Sequence, residues 1–124
     1  MGTILAYEIK KQEERMLKEL ADRQKLQICV VEPSAYEESL GYLAGITGFK
    51  RTLTKGTMER LGESMLVFSG MDSQCVEEFL DGLKKADPKF RALKAVITPY
   101  NITWNSRQLL GELQKERSVF QKGR

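Results

Sequence analysis

Four short apolar runs, each closed by polar or turn-forming residues, set the architecture this chain can adopt. Ile4-Leu5-Ala6-Tyr7, Leu26 to Val31 (LQICVV), Met65 to Phe68 (MLVF) and Leu93 to Thr98 (LKAVIT) are each of strand length. Between the first two, Lys10 to Lys25 places Met16, Leu17 and Leu20 on one helical face. After the third, Val76, Phe79, Leu80 and Leu83 recur at helical spacing behind a cap at Asp72 or Ser73, and Asp87-Pro88 closes that helix. Ser34 with Glu37, and Asn105 with Gln108, have capping-box spacing. They predict a helix through Leu40 and Leu43 towards Gly45, and a last helix on Leu109, Leu110, Leu113 and Phe120. LQICVV is apolar at almost every position, as in a strand covered on both faces.

Strand and helix alternation of this kind predicts an α/β fold, a four-stranded and mostly parallel sheet with helices on both faces. The two halves also resemble each other. Leu5-Ala6-Tyr7 answers Leu66-Val67-Phe68, Val30-Val31-Glu32-Pro33 answers Val96-Ile97-Thr98-Pro99, and Leu40-Gly41-Tyr42-Leu43 answers Leu110-Gly111-Glu112-Leu113. The expectation is one domain over 1–124 made of duplicated β-α-β-α units, 4–45 and 65–120, joined by loop 46–64. Right-handed crossovers then give strand order 2-1-3-4, with a pseudo-twofold axis along the strands. The joining segment carries glycines and basic residues without periodicity and reads as a loop with at most one helical turn.

Composition narrows the chemistry. The 124 residues include no histidine, which removes Ser-His and Cys-His nucleophiles, imidazole bases and His-ligated metals. Two cysteines cannot make a disulfide framework or close a structural zinc site, and they read as reduced thiols of a cytoplasmic protein. Cys29 lies within a strand, and Cys75 in the first turn of a helix has no His or second Cys to assist it. No signal peptide or membrane span is expected. A net charge of +3 is too small to imply nucleic acid. The basic cluster Lys84, Lys85, Lys89, Arg91 and Lys94 reads as a solvated turn, with weak nucleic-acid binding as the alternative. Gly45 to Thr52 lacks the Gly-Lys step of a phosphate loop and follows no strand.

The segments LGYLAG (Leu40 to Gly45), LVF (Leu66 to Phe68), KAVITPYNITW (Lys94 to Trp104) and the following LLGEL resemble a bacterial family, domain of unknown function 3783. The resemblance covers most of the chain, loop 49–64 least. It implies a complete small domain and directs attention to Lys94, Thr98, Asn101 and Trp104; it supplies no activity, cofactor or catalytic residue.

In an open parallel sheet a ligand sits beyond the carboxyl ends of the strands, where strand order reverses. That rule gathers Glu8, Glu32, Ser69, Gly70, Thr98, Asn101 and Trp104 around one crevice between strands 1 and 3. Here the expected role is a non-enzymatic module that binds a small molecule or protein, needing no cofactor or metal. The alternative is a metal-assisted enzyme in which Glu8 and Glu32 hold a divalent ion.

Overall fold

A computed structural model describes residues 2–52 and 56–122, of which 118–122 by backbone alone. Its elements are β1 (Thr3–Tyr7), α1 (Lys11–Arg23), β2 (Gln27–Val30), a 3-10 turn (Pro33–Ala35), α2 (Leu40–Leu43), β3 (Met65–Ser69), α3 (Ser73–Ala86), β4 (Leu93–Val96) and α4 (Ser106–Lys122). Loop positions 53–55 and the side chain of Phe120 lie outside the described residues. The rest of 46–64 contains no helix.

The sheet has the expected order, β2-β1-β3-β4. Its outer pairs β1–β2 and β3–β4 are parallel, but the central β1–β3 pair is antiparallel. That pair corrects the expected axis. With β1 and β3 reversed, any twofold relating the halves stands normal to the sheet between Leu5 and Val67, which face each other. The connection between α2 and β3 is long enough to return the chain to either end of the sheet, so the crossover rule for parallel strands does not bind it.

An axis in that direction keeps each half's first helix on the same face. Ile4, Ala6, Leu66 and Phe68 accordingly meet Leu17 and Leu20 of α1 and Phe79 and Leu83 of α3. On the other face Leu5, Tyr7, Met65 and Val67 meet Tyr36, Leu40, Leu109 and Leu110. β1 and β3 are therefore buried on both sides, which is why their sequences do not alternate. Each such aliphatic or aromatic side chain contributes about 1.5–3 kcal/mol by leaving water.

The two halves place several similar features at similar points. After β1 and β3 the chain turns through a left-handed residue, Glu8 (φ 57°) and Gly70 (φ 70°) respectively. Two residues later come the caps of α1 and α3, Lys10 and Asp72; Asp72 accepts from the Cys75 amide at 2.8 Å. Ser39 and Asn105, the caps of α2 and α4, face each other across an isolated antiparallel bridge.

Two expectations change here. Leu5 pairs with Val67 on the same face of the sheet, whereas Leu66, which the aligned halves set against it, is on the other face. The two Leu-Gly-x-Leu motifs are not equivalent, since Leu40 opens α2 whereas Leu110 lies a turn inside α4.

The expected helix from Ser34 is also broken. Pro33–Ala35 forms one 3-10 turn, and α2 starts only at Leu40 behind Ser39. Between them the backbone is spent on the start of α4 and the turn before it: Ser106 N–H donates to Tyr36 O at 3.0 Å, and Leu40 N–H to Trp104 O at 2.8 Å. Those bonds exclude the helical pairing that Ser34 and Glu37 would otherwise start.

Candidate functional site

The antiparallel centre divides the expected crevice in two. β1 and β2 end at one edge of the sheet with Glu8 and Glu32, while β3 and β4 end at the opposite edge with Ser69, Gly70, Thr98, Asn101 and Trp104. Ser69 is buried beside Thr3, at the start of β1. No crevice joins the seven residues.

At the first edge Glu8 is committed to the fold. Its Oε2 accepts from the Tyr36 hydroxyl at 2.6 Å and the Leu61 amide at 3.1 Å, and Arg60 lies 3.5 Å from Oε1. Its carbonyl accepts from Ser64 Oγ at 2.8 Å. Burial alone would raise the Glu8 carboxyl, but the Tyr36 and Leu61 hydrogen bonds and the Arg60 charge outweigh it and hold the group below the ordinary range. The Tyr36 phenol is pushed up, by burial first and by the Glu8 carboxylate second. Glu32 is exposed and precedes the 3-10 turn. Among the described residues no group of three or more His, Cys, Asp or Glu side chains could hold a metal ion.

At the second edge the KAVITPYNITW segment forms a compact turn. Asn101 is buried there, and its carboxamide is spent on β4's continuation: Nδ2 donates to Val96 O at 3.1 Å, and Oδ1 accepts from Thr98 N–H at 2.9 Å. Thr98 Oγ1 in turn accepts from the Tyr100 and Asn101 amides, each at 3.2 Å. These two residues shape the turn that presents Tyr100 and Trp104. The Tyr100 ring is 82% exposed and stands edge-on to Trp104, centroids 5.6 Å apart. Beside them runs an open groove of about 440 Å³, floored by Ala95, Leu109 and Leu113 and rimmed by Glu112 and Glu116. Trp104 also borders a neighbouring depression of about 390 Å³ that reaches Gly111 and Lys115.

Of the residues expected from sequence, Trp104 lines this groove as a ring and Asn101 as a turn former. Tyr100, Glu112 and Glu116 were not anticipated. The signal for the two glutamates was their spacing of four on the last helix, which puts them on one side. Arg107 was missed as well. It joins Glu37 Oε1 at 2.6 Å, Thr57 Oγ1 at 3.1 Å and Glu59 O at 2.7 Å, over the Tyr36 ring.

The basic turn is partly spent on itself, since Arg91 donates to Pro88 O at 2.9 Å and Lys94 Nζ to Ala92 O at 3.3 Å. Both cysteines are free and half-buried. Burial raises the Cys29 thiol, and the Cys75 sulfur accepts weakly from Gln24 at 3.6 Å.

Fold and site together define a mixed α/β sheet domain with an aromatic, acid-rimmed groove at the end of β4. Residues 64–120 match the family described as Domain of unknown function (DUF3783). The match takes in LVF, KAVITPYNITW and LLGEL, and leaves LGYLAG outside it. Neither the curated proteins nor the solved structures gave a match. No helix among the described residues is long and apolar enough to cross a membrane.

Proposed function

We propose that this chain is a non-enzymatic protein-binding module whose contact surface is the Tyr100–Trp104 groove and whose partner inserts a basic side chain flanked by an apolar one. The observation that carries this reading is the Tyr100 ring, held 82% exposed against Trp104 and beside two carboxylates. Exposed aromatic rings next to an apolar floor are typical contact anchors. Glu112 and Glu116 set the sign of the partner, and the rings favour a guanidinium or ammonium group over any other polar head.

The reading includes a duplicated origin for the halves 4–45 and 65–120, supported by the matching left-handed turns at Glu8 and Gly70 and by the facing caps Ser39 and Asn105. It places the protein in the cytoplasm, on the ground of its two free thiols. A random peptide array probed with the labelled protein tests the binding claim. Retained peptides should be enriched in Arg or Lys beside Leu or Phe, and Trp104 fluorescence should respond to them. Equal retention of acidic peptides, or retention unchanged in the Glu112→Lys, Glu116→Lys double variant, overturns the reading.

A further inference from the structure

The two edge strands of the sheet, β4 and β2, are finished differently. On β4 the Asn101 carboxamide bonds Val96 O and Thr98 N–H, as the N–H and C=O of one residue of a fifth parallel strand would. Lys94 Nζ covers Ala92 O further down the same strand. Both are ways of closing an edge against a further strand. β2 has no such closure. Asn101 is the second residue after Pro99; the second after Pro33 is Ala35, which has no amide to offer.

The groups left open on β2 can be named. Gln27 N–H bonds Gly2 O and Val31 N–H bonds Ala6 O, so odd-numbered residues of this strand face β1 and Ile28 and Val30 face outward. Among the described residues nothing meets the amide or carbonyl of either. The outward groups beyond them are already used: Leu26 N–H donates to Ala21 O, and Glu32 O accepts from Ala35 N–H. Within β2 itself two donors and two acceptors remain, on half-buried apolar residues beside an open groove of about 500 Å³ between α1 and β2.

We infer that this edge pairs with the β2 edge of a second copy, antiparallel, with the twofold axis at Cys29. The set is self-complementary: Ile28 N–H and C=O exchange with Val30 C=O and N–H of the other copy, and the symmetry repeats the exchange, giving four hydrogen bonds. A shift by two residues in either direction would lose partners to the spent Leu26 amide or Glu32 carbonyl. In the chosen register the two Cys29 residues form a non-hydrogen-bonded pair, whose Cα atoms lie about 4.5 Å apart, within disulfide range. On β4 the Lys94 side chain and the Asn101 carboxamide obstruct the edge at both ends, which opposes growth beyond two chains. The surface is separate from the Tyr100–Trp104 groove, so either claim can fail without the other.

Light scattering from micromolar to millimolar concentration should show the mass rising from one chain to two. In a Cys75→Ser background, mild oxidation should then give a Cys29–Cys29 cross-linked dimer. Val30→Pro removes only an outward N–H, a change edge strands tolerate, and should give a folded monomer. Independently of any variant, hydrogen exchange at the Ile28 and Val30 amides should slow as concentration rises. A chain that stays monomeric throughout overturns the inference. So does a dimer that leaves those two amides unprotected, or one that Cys29 does not cross-link.

Discussion

Arg107 Nε and Glu37 Oε1 lie 2.6 Å apart, with the guanidinium carbon 5.4 Å from the centre of the Tyr36 ring. Through this pair the first turn of α4 holds both the segment that follows β2 and the loop at 57–59. Arg107 is only 27% exposed, so removing it leaves Glu37 with a poorly solvated charge. Arg107→Ala should cost about 2 kcal/mol in urea unfolding, and Arg107→Lys about 1 kcal/mol because an ammonium cannot span both partners.

Acid should weaken the fold through three carboxylates. Glu37 and Glu63 are held low chiefly by hydrogen bonds from Arg107 and Arg117, and Glu8 by the contacts that outweigh its burial. A carboxyl depressed in the folded state stabilises it fully above the unfolded value near 4.5, and that contribution is lost as pH falls through the folded value. Urea midpoints should therefore fall below pH 4.5, and fall less steeply in Glu8→Gln.

Asn101→Ala should destabilise the domain by about 1 kcal/mol, because it removes the buried carboxamide that bonds Val96 O and Thr98 N–H. Asn101→Asp should not rescue it, since a carboxylate has no donor for Val96 O. Chemical denaturation of the three chains side by side checks both points.

Two glycines that look alike in sequence should respond oppositely to alanine. A Cβ on Gly41 would sit 2.6 Å from the Phe49 ring, while one on Gly111 meets nothing within 4 Å. Gly41→Ala should cost about 1–3 kcal/mol, and Gly111→Ala, inside α4, should stabilise by about 0.5–1 kcal/mol. Thermal melts of the pair separate the roles.

Strand order and most elements were legible because short apolar runs and helical spacing are local signals. The Asn105–Gln108 box is present as read, with reciprocal bonds of 2.9 Å. Strand direction was not legible. It depends on how a loop without periodicity returns the chain, and that placed Glu8 and Gly70 at opposite ends of the sheet. Ser34 failed as a cap because Tyr36 O and the Leu40 amide have partners far along the chain, which no local window contains. The groove was half legible: Trp104 stands out by its singularity, and Asn101, singled out in the same segment, spends its carboxamide on Val96 O and Thr98 N–H.

Because β1 and β3 meet at the centre of the sheet, Leu5 opposite Val67, each face of the core is assembled partly from the segment before loop 46–64 and partly from the segment after it. A unit on its own would leave the inner edge of β1 or β3 bare and half of both faces wet. In two separate chains it would have to meet the other segment to be covered, a second-order event that slows with dilution. Segment 46–64 removes that dependence. By tethering the units it makes their meeting a first-order step, at the modest entropic cost of closing one loop.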